Sequence, residues 1–143
     1  MDYTQFFPYL QLTLAAGLGF IVGLERKFFN KHVGPRTYSL ISLGACVFTI
    51  LSMTTELGFQ SGFRIAAQIV TGIGFLGAGV IWKSRDHVLG ITTAASIWVV
   101  ASIGMLIGFG FIGYAFYTTL LIVFILHAKG MPGWSRFEEL LDS

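Results

Sequence analysis

Six polar residues lie at the ends of apolar blocks, where they could together bind an anion: Glu25, Arg26, Arg36, Thr37, Thr92 and Thr93. Arginine holds carboxylate or phosphate oxygens through a planar fork of N–H donors. Thr37 and Thr92 stand at the starts of two predicted helices, whose free N–H groups and dipoles favour negative charge. The pattern predicts an anion pocket, for phosphate or for a partner's carboxylate. The alternative is that the threonines cap helices and the arginines only fix membrane topology.

Arg64 and Gln68 form a second polar pair, one helical turn apart at the start of another apolar block. Polar groups within a membrane helix are costly unless they are paired, so they mark candidate sites. Glu56 is the nearby acid that could pair with Arg64. We interpret the pair as a candidate site, and the alternative is a structural tie for the preceding loop.

Catalytic and metal chemistry are not indicated by the sequence. Gly72-x-Gly74-x-x-Gly77 matches the dinucleotide fingerprint, but that motif has meaning only between a strand and a helix, with an acid ~20 residues later. Here it lies in an apolar run, and Asp86 comes too early. Magnesium prefers several carboxylates, and the apolar blocks contain none. We therefore predict a protein that is not an enzyme, with no cofactor, no metal site and no nucleic-acid partner.

The composition predicts the secondary structure that holds these polar residues in place. The chain of 143 residues is 55% hydrophobic and 11% charged, whereas soluble domains carry ~25% charged residues. The apolar residues form five blocks without a polar face, at about 8–24, 37–55, 64–82, 91–107 and 111–127. The pattern predicts an all-α, polytopic membrane protein with five transmembrane helices.

The distribution of charge predicts the topology of these helices. Eight of the nine Lys and Arg residues fall on one side of the predicted bundle, and Arg64 alone falls on the other. The positive-inside rule then places the N-terminus outside and the C-terminus in the cytoplasm. Residues 1–128 form the predicted membrane domain. Residues 129–143 are predicted to form a short amphipathic helix on the inner membrane surface, and the alternative is a disordered terminus.

An internal similarity predicts how the helices pack. At an offset of 55 residues, the segment 17–21 matches 72–76, which suggests a parallel repeat of two helical hairpins followed by a fifth helix. Small residues let membrane helices approach closely. We expect helices 1, 3 and 4 at the centre and the bulky helix 5 at the rim. The predicted packing residues are Gly19, Gly23, Gly72, Gly74, Gly77, Gly104 and Gly108.

Four segments resemble the MgtC/SapB family of bacterial inner-membrane proteins. They are Gly-Leu-Glu-Arg (23–26), Gly-Pro-Arg-Thr (34–37), the glycine-rich stretch 64–81 and Gly-Ile-Thr-Thr-Ala-Ala-Ser-Ile-Trp (90–98). The resemblance covers most of residues 12–110 and implies a five-helix membrane domain with its N-terminus outside. It also implies a link to magnesium-limited growth, virulence, or regulation of membrane machines such as ATP synthase and phosphate uptake. It does not imply direct magnesium transport.

The sequence departs from this family at three places. Ser61-Gly62-Phe63 stands where members usually carry Asp-Pro-Ser or Asp-Pro-Thr, and Leu89 stands where they usually carry arginine. Many members have a cytoplasmic regulatory domain after the membrane part, and this sequence stops at Ser143. Functions that need such a domain would therefore require a partner to supply it.

We predict a non-enzymatic inner-membrane protein that acts by associating with itself or with another membrane complex. The resemblance links this role to magnesium or phosphate homeostasis or to stress adaptation. The expected partners are the lipid bilayer, a homo-oligomer or another membrane protein, and an anion on the cytoplasmic side. The alternative function is that of a small ion or solute transporter, or a channel subunit.

Overall fold

The computed structural model describes residues 3–54, 59–84 and 87–128, which form five α-helices and one short β-hairpin. The helices are α1 (Tyr3–Phe28), α2 (Pro35–Thr54), α3 (Phe59–Gly79), α4 (Ile91–Gly108) and α5 (Ile112–Ala128). The strands β1 (Trp82–Ser84) and β2 (His87–Leu89) pair antiparallel between α3 and α4. The helical architecture is confirmed, and the hairpin was not predicted from the sequence. The predicted tail helix lies outside the described residues.

Among the described residues, three helices are long and apolar enough to cross a membrane, over Phe7–Phe28, Pro35–Met53 and Ile91–Gly108. The apolar part of α3, Arg64–Gly79, and α5, Ile112–Ala128, are shorter. At ~1.5 Å per residue, a full crossing of ~30 Å takes about 20 residues. The length and apolar composition of these helices are those of a membrane protein. That α3 and α5 also cross the membrane stays a prediction.

Glycines on α1 and α4 bring both helices close against α2. A Cβ added at Gly19 would lie 2.6 Å from the carbonyl oxygen of Tyr38, and one at Gly108 would lie 2.6 Å from Cβ of Thr49. Gly23 and Gly104 are equally tight against the backbone of α2. These four glycines therefore lie close against α2, and α2 lies between α1 and α4.

The sequence predicted helices 1, 3 and 4 at the centre of the bundle, and this was wrong for helix 3. In the structure α2 occupies the position expected for α3. Gly72 and Gly74 have nothing within 4 Å of an added Cβ, and Gly77 meets only Ala94, at 3.7 Å or more. The physical reason is that a glycine allows close approach only where a neighbour presents a small surface. α2 presents one with Ser42 and Ala45, which face Gly104 of α4.

The two segments predicted as a repeat pack differently. Gly19 of α1 lies against α2, whereas Gly74, its counterpart at the 55-residue offset, is exposed on α3. The repeat therefore stays a prediction from the sequence. Helix α5 lies at the rim, where it exposes the aromatic side chains Tyr114, Phe116, Tyr117 and Phe124.

Candidate functional site

A buried ion pair closes the end of α1. Arg26 Nε lies 2.5 Å from Glu25 Oε2, and Arg26 Nη2 donates to Glu25 Oε1 at 2.9 Å. The side chains are only 3% and 7% exposed. Two parallel N–H···O bonds satisfy both oxygens of the carboxylate, which offsets part of the cost of removing the two charges from water.

The same end of the bundle holds further buried polar contacts that connect the helices. Arg26 Nη2 also donates to the carbonyl oxygen of Leu126 on α5, at 3.4 Å. Between α2 and α4, Tyr38 Oη lies 2.6 Å from Ser96 Oγ. Since the Ser96 hydroxyl donates to the carbonyl oxygen of Thr93, Tyr38 is the donor in this contact. We call the end of the bundle that contains these contacts the basic side.

The structure brings together only part of the predicted anion pocket. Glu25 and Arg26 pair with each other, so the charge of Arg26 is already compensated. Arg36, Thr37 and Thr92 are exposed, and Thr93 is half-buried. Arg36 has no ion-pair partner within the described residues. Arg36 is therefore the arginine of this set whose charge is open to a ligand, and anion binding there stays a prediction.

Neither threonine at a helix start acts as a side-chain cap among the contacts described. Helix α4 has Gly90 at its N-cap, with φ 90° and no side-chain hydrogen bond. Helix α2 begins at Pro35, and the backbone N–H of Thr37 donates to the carbonyl oxygen of Gly34. Thr92 is therefore not the N-cap of α4. Its side chain lies on the exposed surface of the first turn of that helix.

Arg64 and Gln68 are both exposed on α3, one turn apart. Gln68 makes no hydrogen bond within the described residues, and Glu56 lies outside them. Gln68 is four residues after Arg64, where the apolar part of α3 begins, or ~6 Å along the helix. An amide within the hydrocarbon of a membrane is costly unless it is paired.

Gln11 is a buried polar group that the sequence analysis did not identify. Its amide Nε2 donates to the carbonyl oxygens of Ile107, at 2.5 Å, and Gly108, at 3.3 Å. These carbonyls belong to the last turn of α4, where helical i+4 donors run out; the carbonyl oxygen of Ile107 also accepts from the backbone N–H of Gly110, at 2.9 Å. A single amide in an otherwise apolar block was the available signal, and its role is to hold α1 against the end of α4.

An apolar groove of about 620 Å³ lies between α2 and α3. Its floor includes Ala101 of α4, and Thr37 and Gln68 are the polar residues among those that line it. Gly44 and Gly72 stand on opposite walls, and an added Cβ at either would meet nothing within 4 Å. The groove is therefore an open space with room for a ligand.

A different surface of α3 presents only small residues. Ala67, Thr71, Gly74 and Ala78 are exposed and recur at intervals of four, three and four. This spacing places them along one side of the helix, and we call them the small face of α3. The Thr71 hydroxyl donates to the carbonyl oxygen of Ala67 on the same helix, at 3.2 Å. The face therefore offers a flat surface to another helix.

Comparison with known proteins gives one consistent result. The family model for the MgtC family matches residues 12–131. Protein MgtC of Salmonella typhimurium is 48% identical over 118 residues, which are 82% of this chain and 50% of that protein. Protein MgtC of Brucella abortus is 44% identical over 106 residues, which are 74% of this chain and 44% of that protein. The chain thus spans about half the length of these relatives. No solved structure matches it.

Proposed function

Because the chain belongs to the MgtC family, we propose that it is a non-enzymatic membrane protein that acts by associating with a second copy or with another membrane complex. We place it in the bacterial inner membrane with five crossings, its N-terminus outside and its basic side in the cytoplasm. The family resemblance supports a role in adaptation to limited magnesium or in phosphate homeostasis.

The small face of α3 is the observation that carries this proposal. A glycine costs ~1 kcal/mol relative to alanine in a helix interior. At Gly74 no close contact within the described chain offsets that cost. Lipid tails give no hydrophobic drive for helix association, so close backbone contact must provide the attraction. A second helix against Gly74 and Ala78 would supply it.

Gln68 supports the same interpretation from the polar side. Gln68 lines the groove and not the small face, but it lies one turn before Thr71 of that face. A partner helix that packs at this edge could offer its amide a hydrogen-bond partner. Interhelical bonds of this kind contribute roughly 0.6–2 kcal/mol in membranes. The proposed association thus combines close packing with one polar contact.

Gly74→Leu tests the proposal, with Gly17→Leu as the matched control. Both glycines are exposed, and neither has an atom within 4 Å of an added Cβ. We expect Gly74→Leu to shift the purified protein to the monomer, or to abolish co-purification of its partner complex, while Gly17→Leu behaves as wild type. The measurements are the mass of the solubilised protein by light scattering and cross-linking in intact membranes. A wild-type chain that stays monomeric and alone, or a Gly74→Leu variant that assembles normally, contradicts the proposal.

A further inference from the structure

We propose that the groove between α2 and α3 binds an anionic phospholipid from the leaflet on the basic side, with an acyl chain in the groove and the headgroup phosphate at its basic mouth. The groove and the small face occupy different surfaces of α3. The proposal therefore goes beyond association with a partner and stands apart from it.

The size of the groove fits such a ligand. Its volume of about 620 Å³ is within the ~300–1,000 Å³ range of ligand pockets. It is roughly four times the ~150 Å³ cavity that holds one benzene ring. Its long walls are formed by aliphatic and aromatic side chains such as Leu40, Phe48, Ile69 and Leu76. An acyl chain matches this lining because it presents no polar group.

The length of the groove favours a lipid chain over a second transmembrane helix. Along α2 the lining runs from Thr37 to Phe48, and along α3 from Ile65 to Leu76. Each stretch covers eleven residue steps, or ~17 Å, which is little more than half of a ~30 Å hydrocarbon core. The groove therefore begins at the basic side, and its far end on α3 is Ile65, next to Arg64. Its length of ~17 Å is close to the ~15 Å that the acyl chains of one leaflet fill.

The end of the groove that Thr37 lines, which we call its mouth, lies on the basic side, where several exposed residues are cationic. Thr37 lines the groove in the first turn of α2, directly after the exposed Arg36. The ring of His32 lies 5.4 Å from the ring of Trp82, which brings the loop before α2 against the hairpin after α3. Lys31 and Lys83 flank these two rings in the sequence and are exposed.

No acid within the described residues compensates these cations. Glu25 is the acidic side chain on this side that the structure describes, and it is already paired with Arg26. Basic pockets between membrane helices on the cytoplasmic side attract anionic headgroups. The mouth therefore matches a phosphate, and the groove behind it matches the chain attached to that phosphate.

The test measures lipids retained by the purified 143-residue chain in native mass spectrometry, after exchange into vesicles of phosphatidylglycerol and phosphatidylcholine in equal amounts. We expect wild type to retain phosphatidylglycerol preferentially. Gly72→Leu and Gly44→Leu fill the groove from opposite walls, where an added Cβ meets nothing within 4 Å. Both should lose most of the retained lipid. Gly74→Leu, two residues away but outside the groove lining, should retain it as wild type does.

Arg36→Ala tests the headgroup contact separately. One cation near the membrane surface contributes about a fivefold preference for an anionic lipid. We expect Arg36→Ala to lower the ratio of phosphatidylglycerol to phosphatidylcholine by about that factor, with the total lipid retained nearly unchanged. Thermal unfolding of every variant confirms that the fold persists.

Three outcomes would overturn the inference. The first is equal lipid retention by wild type, Gly44→Leu and Gly72→Leu. The second is displacement of the lipid by free inorganic phosphate, since a phosphate site would not need the groove. The third is a cross-link from the variant Gly72→Cys to a second copy, because a helix would then occupy the groove. If Gly74→Leu loses self-association but still retains the lipid, this inference stands. That result would show that lipid binding is independent of the association in the proposed function.

Discussion

Removing the charge of Glu25 should destabilise the protein more than any exposed charge change on the same helix. Glu25→Gln keeps the shape of the side chain but leaves the guanidinium of Arg26 without its counter-charge. That guanidinium is 3% exposed, and its other described contact is a 3.4 Å hydrogen bond to the carbonyl oxygen of Leu126. Breaking a buried pair in this way costs ~3–5 kcal/mol. We expect a decrease of about 3 kcal/mol in the free energy of unfolding, at the lower end because glutamine still accepts one hydrogen bond.

The cost arises from an uncompensated charge, so it should be largely reversed when both charges are removed. Arg26→Gln alone leaves a buried carboxylate and should be destabilising by a similar amount. The double variant Glu25→Gln/Arg26→Gln contains no buried charge, and two amides can bond to each other. We expect its destabilisation to be smaller than that of either single variant, because replacing a buried pair as a whole is often nearly neutral.

Thermal unfolding of the four proteins in one detergent, followed by tryptophan fluorescence, measures this double-mutant cycle. A loss of 3 kcal/mol corresponds to a fall of roughly 6–12 °C in Tm for a chain of this size. Lys27→Gln is the control, since Lys27 is the next residue and is exposed; such surface changes stay within about 0.5 kcal/mol. Additive effects, with the double variant as unstable as the sum of the singles, would refute the reasoning.

Three further substitutions test the packing by the same unfolding measurement. Gly104→Ala places a methyl group against the backbone of α2, and it should lower the free energy of unfolding by about 2 kcal/mol. The control is Gly113→Ala, which lies in open space and should be neutral or stabilising. Equal effects of the two substitutions would contradict the close packing. Gly90→Ala combines a φ of 90° with a backbone clash, so it should cost more than Gly110→Ala, which has a φ of 85° and free space. Tyr38→Phe removes the hydrogen bond between α2 and α4 and should cost about 1 kcal/mol; an unchanged Tm would show that the bond contributes nothing.

The positions of the helices could be predicted from the sequence because few polar residues interrupt them. The blocks at 37–55, 91–107 and 111–127 correspond to helices Pro35–Thr54, Ile91–Gly108 and Ile112–Ala128. Backbone groups in hydrocarbon must bond within their own segment, so a long apolar run leaves the helix as the favoured structure. Charged loops then set the ends to within a few residues.

The order of the helices in the bundle could not be read in the same way. Glycine content suggested that α3 was central, yet the glycines with close neighbours are those of α1 and α4. A glycine in the sequence shows that its helix is narrow at that position, but it does not show which helix packs there. The Glu25–Arg26 pair shows the same limit, because adjacent residues were expected to share an anion and instead neutralise each other. The neighbour of a glycine depends on which helices pack together, and the pairing of Glu25 with Arg26 depends on the side-chain conformations that burial selects; spacing along the sequence contains neither.

The groove also bears on whether a single chain could conduct ions. It extends from Thr37, next to Arg36, to Gln68, one turn from Arg64, and so it joins the two candidate polar sites of the sequence. Its walls between those ends are apolar, and an ion passing along them would lose its water without gaining a ligand. A lipid chain has no such cost. The connection between the polar ends of α2 and α3 is therefore better suited to an acyl chain than to an ion, and transport through this chain would need a polar path formed with a second protein.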